Sequence, residues 1–260
     1  MMKILLSNDD GYFAPGIQTV FQSLRQNIEF SRLDIMAPER NRSAASNSLT
    51  LLEPLRMNLH ANLSDDPRCH VYSVNGTPTD CVHLGMNGGL DYQPDIVLSG
   101  INAGANMGDD VLYSGTVAAA TEGRFLGKPS VAISLCGNQY FDTAAYVLLK
   151  FLQDMPGITL VQDTIININV PDIPLAELQG IKVTRLGKRH ISEPVVKQTD
   201  PRGLPIYWIG PAGEAADAGE GTDFHAVEHG YASVTPLKID LSHYEMMETL
   251  QNWEKGLSLD

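Results

Sequence analysis

An apolar run that stops in two acidic residues constrains this chain more than any other stretch. Ile4, Leu5 and Leu6 lead directly into Ser7-Asn8-Asp9-Asp10-Gly11. A short all-apolar run suits a strand buried on both faces, as in a parallel sheet. Open α/β sheets bind ligands just outside the carboxyl ends of their strands. Two carboxylates are therefore delivered to the edge where such folds keep their chemistry. Adjacent carboxylates resist joint ionisation unless a cation lies between them, and hard divalent cations take oxygen ligands. The stretch reads as a divalent metal site on Asp9 and Asp10. It also reads as a polar turn in which Asn8 and Asp9 bond local backbone and Gly11 takes a positive φ.

The same alternation of strand, polar loop and helix recurs downstream. Ile17, Val20, Phe21 and Leu24 predict a helix over 15–27 with Pro15 in its first turn. A strand follows at 33–37 and is stopped by Pro38. The polar loop 38–48 carries Arg40 and Arg42, candidates for a phosphate, and Ser43, Ser46 and Ser48, candidates for a metal or a helix cap. An ordinary solvated loop fits these residues equally well. Residues 49–59 and 70–74 read as strands of a hairpin. Gly76-Thr77-Pro78-Thr79-Asp80 reads as a helix start, with Thr77 as N-cap, Pro78 at the first position and Asp80 in the first turn.

A second strand run, Asp95-Ile96-Val97-Leu98, opens into Ser99-Gly100-Ile101-Asn102-Ala103-Gly104-Ala105-Asn106-Met107-Gly108. Glycines let backbone approach a ligand, and successive amides form anion nests. Asn102 lies about as far past its strand as Asp10 lies past the first, so it is a candidate neutral oxygen ligand. Ser114 is the natural N-cap of an alanine-rich helix closed by Gly127. Ser114-Gly115-Thr116 at that helix start is a candidate phosphate cradle. A strand at 129–135, a helix at 142–154 and a strand at 164–171 follow. The last of these is expected at the sheet edge, with Asn167 and Asn169 as polar surface. Strands at 181–186 and 204–209 flank a long loop, 187–203, carrying Lys188, Arg189, His190, Lys197 and Arg202. Such a loop is functional or an assembly arm. A strand at 231–237 and a helix at 243–255 end the chain. His60, His83, His225 and His229 lack ligand spacing and read as structural.

The formal net charge of −13 argues against nucleic acid and anionic membranes as partners. A bound dication would still admit an anionic small substrate. Cys69, Cys81 and Cys136 lack disulfide or zinc spacing and fit small buried residues in a reducing cytoplasm. The N-terminal apolar run is too short for a signal peptide, and no run reaches a membrane span. Carboxylates, hydroxyls, asparagine oxygens, a glycine-rich nest and a helix N-terminus at one sheet edge suit hydrolysis or transfer at phosphorus.

Ser7-Asn8-Asp9-Asp10-Gly11, Ala37-Pro38-Glu39-Arg40-Asn41-Arg42-Ser43, Gly76-Thr77-Pro78-Thr79-Asp80, Ser99-Gly100-Ile101-Asn102-Ala103-Gly104 and Tyr113-Ser114-Gly115-Thr116-Val117-Ala118-Ala119-Ala120 closely resemble the SurE survival-protein family. So do Asp200-Pro201-Arg202-Gly203 and Gly221-Thr222-Asp223. The resemblance spans essentially the whole chain. It implies a metal-dependent phosphatase of nucleoside 5′- and often 3′-monophosphates, sometimes with exopolyphosphatase activity. It implies one divalent cation per subunit, Mg²⁺ or Mn²⁺, with ligands mapping onto Asp9, Asp10, Ser43 and Asn102. Ser114 and Gly115 fall on the phosphate side, with Asn106 and Thr116 as further candidates there. Asp9 or Asp10 could orient the attacking water. The implied fold is a Rossmann-like, mainly parallel α/β core over 1–171. A β-rich C-terminal extension over 172–260 would exchange between subunits to give a homodimer or homotetramer.

Competing classes are weaker. A receiver-type phospho-acceptor domain needs an aspartate at the end of a central strand, where this chain has Ser99-Gly100. A dinucleotide-dependent oxidoreductase needs G-x-G-x-x-G after the first strand. A non-catalytic metal- and nucleotide-binding module remains the alternative reading.

Overall fold

The computed structural model describes residues 1–158, 163–189, 194–210 and 213–257, so His190 of the long loop lies outside the described residues. The first half of the chain alternates strands and helices. These are β1 (Met2–Ser7), α1 (Pro15–Asn27), β2 (Phe30–Pro38), β3 (Met57–Leu59), β4 (Cys69–Val74), α2 (Pro78–Met86), β5 (Ile96–Ala103), α3 (Gly115–Phe125), β6 (Ser130–Cys136), α4 (Phe141–Asp154) and β7 (Thr164–Pro171). The remainder comprises β8 (Gly180–Val183), β9 (Lys188–Arg189), β10 (Val196–Thr199), β11 (Pro205–Trp208), β12 (Ala215–Asp217), α5 (Asp223–Glu228), β13 (Tyr231–Lys238) and α6 (Tyr244–Glu254).

Among the described residues nine strands form one sheet in the order β3-β4-β2-β1-β5-β6-β7-β13-β8. The run from β4 to β7 is parallel throughout. The short β3 is antiparallel to β4, and β13 is antiparallel to β7. Strand order leaves β1 in both directions: β2 and β4 lie on one side, β5, β6 and β7 on the other. The topological switch point therefore lies between β1 and β5, where a doubly wound sheet opens a ligand crevice.

Both faces of the sheet are covered, which explains why its strands are apolar runs rather than alternating ones. On one face Ile17, Val20, Phe21 and Leu24 of α1 and Ala144, Val147 and Leu148 of α4 pack with Ile4, Leu6, Ile35 and Leu98. On the other, Cys81 and Val82 of α2 and Ala119 of α3 pack with Leu5, Met36 and Val97. Each of these residues is almost wholly removed from water. The three cysteines are free. Among the described residues no helix is long and apolar enough to cross a membrane.

Two expectations are corrected. The hairpin exists, but its first strand is only Met57–Leu59. Residues 49–56 form no strand; the Thr50 amide donates to Asp80 Oδ1 in the first turn of α2 and the Arg56 amide to Asn75 Oδ1 in the turn before it. The strand at 164–171 is not at the edge, because β13 pairs along its free side. Asn167 and Asn169 are buried, with no exposed surface, because Asn106 of the loop after β5 lies against both side chains.

Candidate active site

The crevice at the switch point is where β1 and β5 deliver their acidic and amide side chains. Past β1, Asn8 folds back on its own turn, bonding Gly11 through both its amide nitrogen and its oxygen. Gly11 has φ +105°, a left-handed conformation that favours glycine. This turn spends Asn8 and leaves Asp9 and Asp10 pointing onward. Asp9 is only 4% exposed. Its Oδ1 accepts the Thr116 hydroxyl at 2.7 Å. Its Oδ2 lies against Gly115, where a Cβ would sit 2.8 Å from it and 2.7 Å from the Asp9 Cβ. Only glycine lets the first turn of α3 approach this carboxylate so closely.

Asp10 joins two loops. Its Oδ1 accepts Asn41 Nδ2 at 3.2 Å, and its Oδ2 accepts the Ala103 amide at 3.2 Å. Asn41 in turn accepts the Ser43 amide at 2.8 Å and the Ser43 hydroxyl at 2.6 Å. The Arg42 amide donates to the Asp9 carbonyl at 2.7 Å. Ser43 is thus tied to the acidic pair through one asparagine. Asn102 stands beside Ala103 and donates Nδ2 to the Gly104 carbonyl at 2.8 Å, which leaves its side-chain oxygen as the free acceptor. Hydrogen bonds thus tie Asp9 and Asp10 to the two loops that carry Ser43 and Asn102.

Burial raises the carboxyl pKa of Asp9 above its usual range, and the neighbouring Asp10 raises it further against the Thr116 hydrogen bond. Burial also raises Asp10. A divalent cation between them would reverse both effects. The available donors are all oxygens: two carboxylates, a hydroxyl and an amide carbonyl. That set fits Mg²⁺ or Mn²⁺ rather than a thiophilic metal. Among the described residues no three acidic, histidine or cysteine side chains converge to hold a metal. A centre here therefore rests on two carboxylates and neutral oxygens.

The phosphate-side residues divide. Ser114 caps α3, its Oγ accepting the Val117 amide at 3.0 Å and keeping its own proton free to donate. Gly115 contributes a helix-terminal amide. Thr116 commits its hydroxyl to Asp9. Asn106 is 7% exposed and donates Nδ2 to Ser134 Oγ at 2.7 Å. Arg42 directs its guanidinium to the Asn75 carbonyl at 3.0 Å.

Several residues have a supporting role that the sequence does not assign to them. Asp80 accepts the Thr50 amide at 2.8 Å, the Thr50 hydroxyl at 2.6 Å and the Thr77 amide at 2.8 Å. Thr77 donates its hydroxyl to the Ser48 carbonyl at 2.6 Å. The capping box of α2 thereby anchors the loop that carries Ser43, so its carboxylate does more than start a helix. Asp223, fully buried, accepts the Gly108 amide on Oδ2 and the Gly187 amide on Oδ1, both at 2.8 Å. Arg189 donates to Asp110 at 2.5 Å. Asp223 belongs to the Gly221-Thr222-Asp223 motif and Asp110 to none, and only their spatial partners give them a role.

The chain matches the family model described as survival protein SurE over residues 4–193. A protein of Hydrogenovibrio crunogenus (strain DSM 25203 / XCL-2) named 5'-nucleotidase SurE is 66% identical over 258 residues, covering 99% of this chain and 100% of the other. One of Proteus mirabilis (strain HI4320) named 5'/3'-nucleotidase SurE is 55% identical over 253 residues, covering 97% and 96%. The fold superposes on a crystal structure of a SurE protein from Aquifex aeolicus with a TM-score of 0.81 and 44% identity, covering 97% of this chain and 99% of that one.

Proposed function

The chain belongs to the SurE survival-protein family, and from that premise we propose how its crevice works and on what. The protein is a nucleotidase that hydrolyses the phosphomonoester of nucleoside 5′-monophosphates. In our reading it also accepts 3′-monophosphates and trims polyphosphate ends. The observation that carries the reading is the contact between Asp9 and Gly115, which sets a buried acidic pair against the N-terminal amides of α3.

Asp9, Asp10, the Ser43 hydroxyl and the Asn102 side-chain oxygen would hold one Mg²⁺ or Mn²⁺. When bound, the cation polarises a phosphoryl oxygen and lowers the pKa of a water. The amides of Gly115 and its neighbours, with the positive end of the α3 dipole, receive the phosphoryl oxygens. The Ser114 hydroxyl and the second Nδ2 hydrogen of Asn106 add donors there. The Thr116 hydroxyl holds the Asp9 carboxylate in one orientation. Asp9 or Asp10 orients the attacking water.

We assign residues 172–260 to an assembly arm that makes a homodimer or homotetramer. Tyr207, Trp208 and Ile209 by the β10–β11 hairpin are 59–90% exposed, and α6 has no buried residue while displaying Met246, Met247, Leu250 and Trp253. Apolar patches of this kind mark interaction surfaces. Free thiols and the absence of basic character fit a cytoplasmic protein without nucleic-acid or membrane partners.

The test is inorganic phosphate released from a panel of 5′- and 3′-nucleoside monophosphates with Mg²⁺, with Mn²⁺ and with chelator, for wild type and Asp9→Asn. Release that needs the cation and collapses in Asp9→Asn is expected. Folded protein that binds nucleotide and frees no phosphate with either cation would replace the enzyme by a binding module.

A further inference from the structure

β7 carries two asparagines where its neighbours in the core are isoleucine and valine. Ile165, Ile166, Ile168 and Val170 are buried, and so, with no exposure at all, are Asn167 and Asn169. A buried amide is costly unless its hydrogen bonds are made. Both side chains donate to a single residue of the loop after β5, while the buried Asn167 side-chain oxygen has no partner among the described residues. Asn167 Nδ2 and Asn169 Nδ2 each donate to the Asn106 carbonyl at 2.9 Å. The Asn106 amide donates back to Asn169 Oδ1 at 2.8 Å. Asn106 Nδ2 reaches Ser134 Oγ at 2.7 Å.

The register shows where these partners stand. Ser134 of β6 pairs with Asn169 of β7 on one side and with Asn102 of β5 on the other. Asn102, Ser134 and Asn169 thus form one polar row across three parallel strands at the crevice edge. Asn106 is fastened to that row by its carbonyl, its backbone amide and its side chain. One of its two Nδ2 hydrogens is used by Ser134, and the other has no partner among the described residues. Fixing the peptide units on both sides of the Asn106 Cα and pinning the side chain leaves the free N–H with a single direction. A core built only for stability would fill these positions with aliphatic residues, as the rest of β7 does.

We propose that Asn169, supported by Asn167 and Ser134, is a positioning residue of the hydrolysis: it aims the Asn106 side-chain amide at a phosphoryl oxygen of the bound nucleotide. The proposal rests on the nucleotidase reading and adds to it what holds Asn106 in place. Groups that act through correctly placed donors lose on the order of a hundredfold in rate when displaced by about 1 Å.

The experiment is steady-state kinetics of phosphate release from AMP by the full chain, with melting curves for every variant. Asn169→Ala is expected to lower kcat by roughly tenfold to a hundredfold, with a much smaller change in KM. Ser134→Ala, which removes only the side-chain anchor, is expected to lower kcat by a few-fold to about tenfold. The decisive readout is the cycle with Asn106→Ala. If Asn169 and Ser134 act through Asn106, each double variant is no slower than the slower of its single variants, within about twofold. Losses that multiply would overturn the proposal, as would folded single variants with wild-type kcat. If Asn169→Ala does not fold, the Ser134→Ala cycle alone decides between these outcomes. Wild type that releases no phosphate would overturn this proposal and the nucleotidase reading together, whereas an active wild type with multiplying losses overturns the positioning role only.

Discussion

Two loops frame the crevice, and they are held in opposite ways. The loop after β2, carrying Ser43, is fastened by near neighbours in sequence. Thr50 and Asp80 are 30 residues apart, and Thr77 and Ser48 are 29 apart. The loop after β5, carrying Asn102 and Asn106, is fastened from far away. Asn169 reaches it across 63 residues, and Asp223 across 115. The first loop leans mainly on a helix N-terminus, a local device with a sequence signature, with one longer tie from the Ser46 hydroxyl to the Leu112 carbonyl. The second needs the sheet to be complete and the C-terminal segment to be docked. A site assembled from both kinds of support has one wall that forms early and one that depends on the whole fold.

Breaking the second loop where it enters α3 should have the largest effect. Gly115→Ala drives a Cβ into Asp9 and is expected to cut phosphate release by roughly a hundredfold. Retained activity in a folded Gly115→Ala protein would show that the α3 terminus does not need to lie on the carboxylate. Asp223→Ala strips acceptors from the amides of Gly108, Gly187 and Phe224. We expect a loss on the order of 3 kcal/mol, read as a fall in Tm of roughly 6–12 °C, with reduced turnover below the transition. An unchanged Tm would make the distant support cosmetic.

Asp80→Ala tests the nearby support. It releases Thr50 and the α2 cap, and about 2 kcal/mol is expected. Its activity defect should be smaller than that of Asp223→Ala, because Asn41 still ties Ser43 to Asp10. The reverse ranking, measured in the same phosphate assay, would invert the comparison. Ser43→Ala removes an exposed hydroxyl and should leave stability within about 0.5 kcal/mol. The cation concentration for half-maximal release should rise several-fold instead. No change in that titration would remove Ser43 from the proposed ligand set.

The contrast between the loops also explains what could be read from the sequence. The 15–27 helix, the caps at Thr77 and Ser114, and the parallel strands were legible because each depends on local spacing and burial. Asp9, Asp10 and Asn102 could be grouped because strand ends share an edge. The role of Asn167 and Asn169 could not be read, because period-2 alternation is the same for a solvated face and for a polar tier buried under a loop. Only the loop after β5, which lays Asn106 over that face of β7, decides between them. The 49–59 stretch was misread for a related reason. Thr50, Leu51 and Leu52 look like strand formers, but the hydrogen bonds of this segment go to α2. Asn41 was inside a quoted motif, yet its bridge from Asp10 to Ser43 is visible only in three dimensions.

The insertion of β13 between β7 and β8 has a consequence for how the protein is made. β8 leaves the ribosome first but has no partner in the sheet until β13 arrives. Synthesis proceeds at about 5–20 residues per second, so β7 waits several seconds with one side open. During that interval a nascent chain with a nearly finished core would present an unpaired edge bearing Ile166, Ile168 and two asparagines. The same delay postpones arrival of Asp223 at Gly108. A chain made only as far as β7 therefore carries the acidic pair without the far wall of its crevice, and activity waits until Asp223 and β13 have been made.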